Sequence, residues 1–445
     1  MLTTLKNAFK IKEIRQKILF TLGMLVVIRI GSQLPVPGVD TKFFSQWFAQ
    51  QTGGAFSFFD AITGGSFLNM SILALNINPY ITSSIIMQLL TIAIPKLEEM
   101  QRDGEDGRKK MVAITRYVTI ALALIQSTAM AIGFGRQGYL IEFNALNVIT
   151  AITALTAGSA FLMWVGERIT EKGIGNGISI VLVINIISRL PQDLSNLFEQ
   201  FVFGKAPATA ILAVVIIFAI IIAMVVLVII LNDGVRKIPV QYAKKMQGRK
   251  MVGGQTSNIP LKVNTAGVIP VIFASSMLQL PVVIASFAGV KPASGEGASL
   301  IQKFLKVCNQ SDWCNISSWG DFKYTLGLLV YIALVIFFAY FYTSVTFNPL
   351  EISNNMKKQG GFIPGIRPGK PTTDYLTNVL NSIIFIGAVA MVIVCVLPIV
   401  FSGVFGANVS FTGTSLIIIV GVVIETLKQL ESQMLVRNYK GFLGN

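Results

Sequence analysis

The first candidate for chemistry in this chain is a Gly-Lys pair inside a segment rich in glycine and proline, residues 361–371. A phosphate-binding loop has a Gly five residues before its Gly-Lys pair and a Ser or Thr directly after it, because backbone amides and a hydroxyl hold the phosphates and their metal ion. Here those two places hold Pro364 and Pro371. The segment is therefore not a nucleotide site, and the energy for any work must come from elsewhere.

Ionisable residues inside apolar segments are the next candidates, because they usually mark the pathway of a coupled ion. This chain offers Arg29, Glu167 and Glu425 within or at the edge of apolar stretches, and it has no histidine. These residues do not form a relay of acids at mid-depth. The sequence therefore argues against a proton- or sodium-coupled carrier.

The three cysteines offer little chemistry. Cys395 falls within an apolar run, where it is expected to pack, while Cys308 and Cys314 share a loop in which a disulfide and two free thiols are both open. With no histidine and no cysteine cluster, the sequence predicts no metal site, no cofactor and no catalytic residue.

Composition places the chain in a membrane. Hydrophobic residues make up 53% and charged residues 13% of the 445 positions, with a mean hydropathy of +0.68. A soluble chain carries about 25% charged residues. The net charge of +15 could indicate nucleic acid, but the charges lie in loops between apolar runs, so DNA is not an expected partner.

The positive charges also orient the chain. If the N-terminus is cytoplasmic and the chain crosses at each apolar run, 27 of the 36 Lys and Arg fall on the cytoplasmic side, eight on the other and one, Arg29, within a span. Short loops rich in Lys and Arg stay in the cytoplasm. We therefore expect a multi-pass protein of the plasma membrane with both termini cytoplasmic and basic loops that attract anionic lipids.

Apolar runs of about 20 residues predict ten transmembrane helices in an all-α membrane protein. They cover residues 18–38, 71–94, 117–137, 148–168, 178–198, 209–231, 265–288, 325–346, 377–400 and 413–434. Five spans per half give two halves of opposite orientation, because an odd number reverses the second half. The predicted parts are a cytosolic amphipathic segment 1–17, a first half 18–198, an exterior hinge region 199–208, a second half 209–434 and a cytosolic tail 435–445.

The second apolar run is too long for one span. From Ala61 to Pro95 there are 35 residues without a charge. As one helix they would measure ~50 Å at 1.5 Å per residue, against a hydrocarbon core of ~30 Å. Gly64, Gly65 and the polar residues after them indicate a break, so we predict a short re-entrant helix followed by a full span. Such backbone must be buried in protein or line a cavity.

Two long basic loops, 232–262 and 347–373, are predicted on the cytoplasmic side. The residues that could dock a partner there are Arg236, Lys237, Lys244, Lys245, Arg249, Lys250, Lys357, Lys358 and Arg367. Such charge can be ordinary topology charge. However, three prolines stiffen the second loop, and a rigid basic surface suits an acidic or RNA-containing partner.

Four segments in order along the chain resemble motifs of the SecY family, the pore-forming subunits of protein-translocation channels. They are Asn78-Pro-Tyr-Ile81, Trp164–Ser179, Lys262–Ser276 and Gly365-Ile-Arg-Pro-Gly369. The resemblance runs from end to end. It implies that the two inverted halves surround a central pore, with a short plug helix and a lateral gate.

The resemblance assigns residues to three parts of such a channel. The pore ring would consist of Ile81, Ile85, Leu182, Ile186, Ile272 and Ile418. The plug, about 60–70, would include Asp60, Ile62, Gly64, Gly65, Phe67 and Met70. The lateral gate, between the second and seventh spans, would include Gln88, Ser275, Ser276 and Gln279. Within the ring, Ile81/Ile85 and Leu182/Ile186 have the i, i+4 spacing of one helix face, although Leu182 departs from the family's all-isoleucine ring.

The resemblance implies a gated channel that passes unfolded secretory chains and releases hydrophobic segments sideways into the membrane. Signal sequences and nascent polypeptides would be its substrates, SecE-like and SecG-like small subunits its membrane partners, and a SecA-type ATPase motor or a ribosome its drive, with Arg367 as the most sensitive docking position. Two alternatives stay open. A small-solute secondary transporter would need polar groups at mid-membrane, and a scaffold or insertion chaperone would not need a plug.

Overall fold

The fold is mostly helical. The computed structural model describes residues 9–50, 60, 63–136, 138, 140–203, 207–242, 245–247, 250–252, 256–287, 299–309, 313–314, 322–405 and 413–440. The helices of the first half are α1 Lys12–Gly31, α2 Thr41–Gln50, α3 Asn78–Ala93, α4 Pro95–Arg102, α5 Gly104–Arg136, α6 Ala145–Lys172 and α7 Gly177–Phe201. Those of the second half are α8 Pro207–Asp233, α9 Ile269–Phe287, α10 Leu300–Cys308, α11 Leu326–Thr346, α12 Pro349–Lys358, α13 Lys370–Phe405 and α14 Gly413–Lys440.

Each of the ten predicted spans overlaps one of these helices, namely α1, α3, α5, α6, α7, α8, α9, α11, α13 and α14. Among the described residues, six helices are by themselves long and apolar enough to cross a membrane, or seven if the bent pair α3 and α4 is one span. The α3–α4 pair turns by 108° at its break. The chain is thus a mostly helical, multi-span membrane protein.

The long second apolar run is broken by turns that begin at Gly64, and helix α3 starts at Asn78, later than the predicted span 71–94. Asp60 and Thr63 are helical, whereas residues 64–77 form turns interrupted by an isolated bridge at Ser71, so the predicted helix over 60–70 does not extend through its second part. Gly64 and Gly65 have φ of 66° and 84°, which an α-helix does not accommodate. Helix α3 then begins with Pro79 in its first turn, where the missing N–H costs nothing.

A small sheet on the predicted cytoplasmic side accompanies the helices. Strands β1 Val235–Tyr242, β2 Lys245–Gln247, β3 Lys250–Val252 and β4 Thr256–Lys262 lie in the first basic loop, and β5 Gly361–Phe362 lies in the second. Strand β1 pairs antiparallel with both β4 and β5. The two basic loops are therefore joined by backbone hydrogen bonds into one body.

Most of the described core residues cluster within one predicted half. The largest cluster, which contains Val271, Tyr331 and Val394, draws its buried members from residues 224–417. Two other clusters draw theirs from residues 28–181. A further cluster contains residues of both halves and includes most of the predicted ring. This arrangement suits two packed bodies that meet at a shared apolar contact.

Candidate functional site

Four helices bring five of the six predicted ring residues into one apolar cluster. Helix α3 contributes Ile81, α7 contributes Leu182 and Ile186, α9 contributes Ile272 and α14 contributes Ile418. The α7 and α14 residues are buried, and the other two are half-buried. Residues far apart in the chain thus converge on a patch with no polar side chain among these five.

The cluster also contains residues that the sequence reasoning missed. Val183 and Val422 are buried members of it, and Ile180, Val268 and Ile419 pack against it. Val422 follows Ile418 at i+4, so the spacing rule that linked the other ring pairs could have found it. Conversely, Ile85 is half-buried on α3 and lies outside this cluster.

The start of helix α7, which carries two ring residues, is fixed by a side-chain cap. Its first turn is capped by Asn176, whose side-chain oxygen accepts hydrogen bonds from the N–H groups of Ile178 (3.1 Å) and Ser179 (3.4 Å). Such a cap satisfies N–H groups that have no partner within a helix. The cap sets where the helix begins, and therefore the height at which its ring residues lie.

The predicted plug segment lies directly against α7. The carbonyl oxygen of Gly64 accepts hydrogen bonds from Arg29 Nη1 at 3.3 Å and from Ser188 Oγ at 3.4 Å. A Cβ at Gly64 would lie 2.5 Å from the backbone oxygen of Asn185, so no larger residue fits there without a shift. Arg29, which the sequence left without a clear role, thus contacts the plug segment.

A buried ion pair joins the plug segment to α7. The carboxylate of Asp60 pairs with the guanidinium of Arg189, and Asp193 lies 3.6 Å from Arg189 Nε. The second carboxylate oxygen of Asp60 accepts a hydrogen bond from the N–H of Leu68 at 2.8 Å. Sequence reasoning gave Arg189 no role and missed this pair. The i, i+4 spacing of Arg189 and Asp193 was a signal for their own ion pair on α7, but not for the contact with Asp60.

The other described plug residues pack into the first half. Phe67 and Met70 belong to a first-half core cluster. The Phe67 ring meets those of Phe44 and Phe134 edge to face, with centroids 5.7 and 6.2 Å apart. A Cβ at Gly65 would meet open space. The predicted plug residue Ile62 lies outside the described residues.

The four predicted gate residues do not share one face. Ser275 and Gln279 are buried on α9, whereas Ser276 is exposed. Ser275 lies next to Ala274 and about one helical turn after Val271, and both of those residues pack into the second-half core. Gln88 is half-buried on α3, and α9 packs against α5. Only part of the predicted set therefore faces a boundary that could open.

The basic loops present an exposed surface over a small core of their own. Arg236 and Lys237 on β1, Lys357 and Lys358 on α12, and Arg367 after β5 are exposed. Beneath them Ile238, Val240, Leu261, Met356, Ile363 and Leu376 form a buried cluster. Lys245 and Lys250 lie on the β2–β3 hairpin. Lys244 and Arg249 lie outside the described residues.

Helix α10 holds Cys308, and both cysteines of the predicted exterior loop are free thiols in the described part of the chain. Burial raises the pKa of the Cys308 thiol, because desolvation penalises the thiolate. The disulfide that the sequence left open is not formed.

Comparison with known proteins gives the family. A family model described as SecY matches residues 71–427. The protein translocase subunit SecY of Streptomyces scabiei is 42% identical over 459 residues, covering all of both chains.

Solved structures give the same fold. A SecY structure whose plug domain is described as stabilising the closed state of a translocation channel has a TM-score of 0.61 at 17% identity. Sec61 of a canine ribosome–channel complex has a TM-score of 0.59 at 16% identity. Each comparison covers 94% of this chain and 92% of the other. By its full-length likeness to translocase subunits, the chain belongs to the SecY family: it is no enzyme but the subunit of a membrane channel that conducts proteins.

Proposed function

We propose that the apolar cluster of Ile81, Leu182, Ile186, Ile272 and Ile418 is the constriction through which an unfolded chain passes. The observation that carries this proposal is the convergence of four helices from both halves on one patch of branched apolar side chains. An apolar constriction excludes water when it is empty, binds no particular side chain and deforms around a passing one.

In this proposal the segment from Asp60 to Met70 is the plug that seals the exterior side of the ring. Its support is the direct contact of Gly64 with α7 and with Arg29. The solved relative whose plug domain stabilises a closed channel supports the same assignment by likeness.

The lateral exit in this proposal lies where α9 meets the first half. A signal sequence is an apolar helix, which gains roughly 25 cal/mol per Å² of apolar surface removed from water. It would enter between α9 and the helices α3 and α5. Gln88 and Ser276 stay candidates for tuning this boundary, whereas Ser275 and Gln279 would act through the packing of α9 on its own half.

The basic sheet and its neighbouring turns would dock the driving partner. The exposed cations on β1, α12 and the turn at Arg367 suit the acidic surface of a SecA-type motor or the RNA of a ribosome. Sec61, similar in fold, is seen in a ribosome–channel complex. The proposal also includes SecE-like and SecG-like subunits as membrane partners and two inverted halves in the channel itself. It places the protein in the plasma membrane with both termini cytoplasmic, an orientation that the positive-inside asymmetry supports.

The experiment that tests the pore uses a stalled secretory chain with a photocrosslinker at successive positions in reconstituted membranes. We expect labelling of Ile81, Leu182, Ile186 and Ile272. The exposed neighbour Ile187 is the control that should stay unlabelled. Labelling confined to outward apolar residues such as Ile216 and Ile222 would reject the pore and favour the insertion-chaperone alternative.

The small-solute transporter draws no support from this site. A solute carrier needs polar or charged groups at mid-membrane around an unwound helix. The five ring residues offer only hydrocarbon.

A further inference from the structure

We propose that Asp60 and Arg189 form an ionic latch that holds the plug segment closed, with Asp193 as the counterion that Arg189 keeps when the latch opens. This inference rests on the plug assignment above. It names two positioning residues for the channel that lie far apart in the chain.

The pair is buried deeply enough to matter. Asp60 is 0% exposed and the Arg189 side chain 10% exposed. A buried carboxylate is unfavourable without a counterion, so Asp60 is stable in this position only while Arg189 faces it. Because Asp60 also accepts the N–H of Leu68, the pair fixes both the beginning and the later part of the plug segment.

The latch lies next to the constriction. Arg189 follows the ring residue Ile186 by about one helical turn on α7. The preceding residue, Ser188, holds the carbonyl oxygen of Gly64. Two consecutive side chains of the ring-bearing helix therefore hold the plug segment, and a shift of α7 would act on both.

When the plug segment leaves, neither Asp60 nor Arg189 stays buried without a partner. A buried ion pair gains little net stability, because desolvation of the two ions offsets their attraction. When the segment leaves, Asp60 enters water, and Arg189 retains Asp193, whose Oδ1 lies 3.6 Å from its Nε. This second carboxylate makes the attachment reversible.

The segment has a second, apolar attachment through Phe67, which packs between Phe44 and Phe134. Loss of the latch should therefore loosen the seal without removing it. Removal of the charge of Asp60 should therefore raise the resting conductance less than deletion of the plug segment does.

The test measures resting ion conductance of the complete reconstituted translocase without substrate. Asp60→Asn should raise conductance about tenfold, which corresponds to about 1.4 kcal/mol lost from the closed state. Deletion of Ile62–Met70 should raise it further. The conservative Asp60→Glu should restore the seal, and Glu199→Gln, an exposed carboxylate on the same helix, should have no effect.

Export in cells gives the second readout, with a reporter that carries a weakened signal sequence. Asp60→Asn should increase its export, whereas Asp193→Asn should decrease export, because Arg189 then lacks a counterion in the open state. Poor folding would lower export for both substitutions. If the deletion leaks and Asp60→Asn stays tight, the latch is wrong and the plug stands; if the deletion does not leak, the plug assignment itself fails.

Discussion

Asn185 of α7 donates a hydrogen bond from Nδ2 to Oδ1 of Asn76, 3.1 Å away, and both side chains are buried. Asn76 lies in the turns that connect the plug segment to α3, and Asn185 directly precedes the ring residue Ile186. The backbone oxygen of Asn76 also accepts a hydrogen bond from Ser159 Oγ at 3.1 Å. The pair thus fixes the connection of the proposed plug relative to the proposed ring.

We expect this pair to be energetically coupled. In membrane proteins an interhelical hydrogen bond is worth about 0.6 kcal/mol on average and up to ~1.7 kcal/mol. Thermal unfolding of Asn76→Ala, Asn185→Ala and the double variant should therefore give a coupling energy in that range. Strictly additive losses would show that the bond contributes nothing to stability.

Gly64→Ala should open the seal, while Gly65→Ala should not. Both glycines have positive φ, so the backbone strain of an alanine, about 1–2 kcal/mol, is common to the two variants. They differ in space, because a Cβ at Gly64 would lie 2.5 Å from Asn185 O, whereas nothing lies within 4 Å of one at Gly65. Resting conductance distinguishes them, and equal leaks would mean that strain, not contact with α7, matters.

Ile186→Asn should wet the constriction and raise resting ion conductance. Ile186 is 3% exposed within the ring cluster, and its neighbour Ile187 is 38% exposed. An amide in the ring would hold water that hydrocarbon excludes. The matched variant Ile187→Asn should leave conductance unchanged; if it leaks as much, the ring has been placed on the wrong face of α7.

Arg367→Glu should block export while the protein still inserts and assembles. The side chain is exposed, and its backbone oxygen accepts a hydrogen bond from Thr372 Oγ1 at 2.8 Å, so the change alters surface charge and leaves the turn intact. Lys109→Glu, an exposed cation in another predicted cytoplasmic loop, is the control. Normal export by Arg367→Glu would show that the positive charge of this loop serves only to orient the chain in the membrane.

Cys308 should react slowly with a maleimide. Burial raises its pKa, so less thiolate is present at neutral pH, and the midpoint of its rate against pH should lie above the usual value of about 8.5. The measurement is alkylation rate against pH in a Cys314→Ser background. Ser299→Cys, exposed at the start of α10, provides the fast reference. Equal rates at the two positions would contradict the buried placement.

The spans could be predicted from sequence because hydropathy is a local signal. The run 148–168 is contained in Ala145–Lys172, and 178–198 in Gly177–Phe201. The helices extend beyond the runs because a helix can continue past the membrane boundary until a residue ends it. Helix α13 continues past 400, the predicted end of its span, to Phe405, with Pro398 inside the helix.

The small sheet was missed although its signal was present. Ile238 and Val240 are buried between exposed neighbours on β1, the period-two pattern of a half-buried strand. Positive charges at Arg236 and Lys237 made the segment read as a loop.

The Asp60–Arg189 pair could not be predicted, because no local pattern reports a contact between two residues that lie far apart in the chain. The ring could be predicted only in part. Spacing linked Leu182 to Ile186, but only tertiary packing shows that Ile81 joins them and that Ile85 lies outside the cluster.

A constriction made only of hydrocarbon carries no gating charge. A membrane voltage does work of about 2.3 kcal/mol per elementary charge moved across 100 mV. Ile81, Leu182, Ile186, Ile272 and Ile418 have no charge to move, so voltage exerts no direct force on them. The proposed ring itself is therefore not pulled open by the potential across an energised membrane.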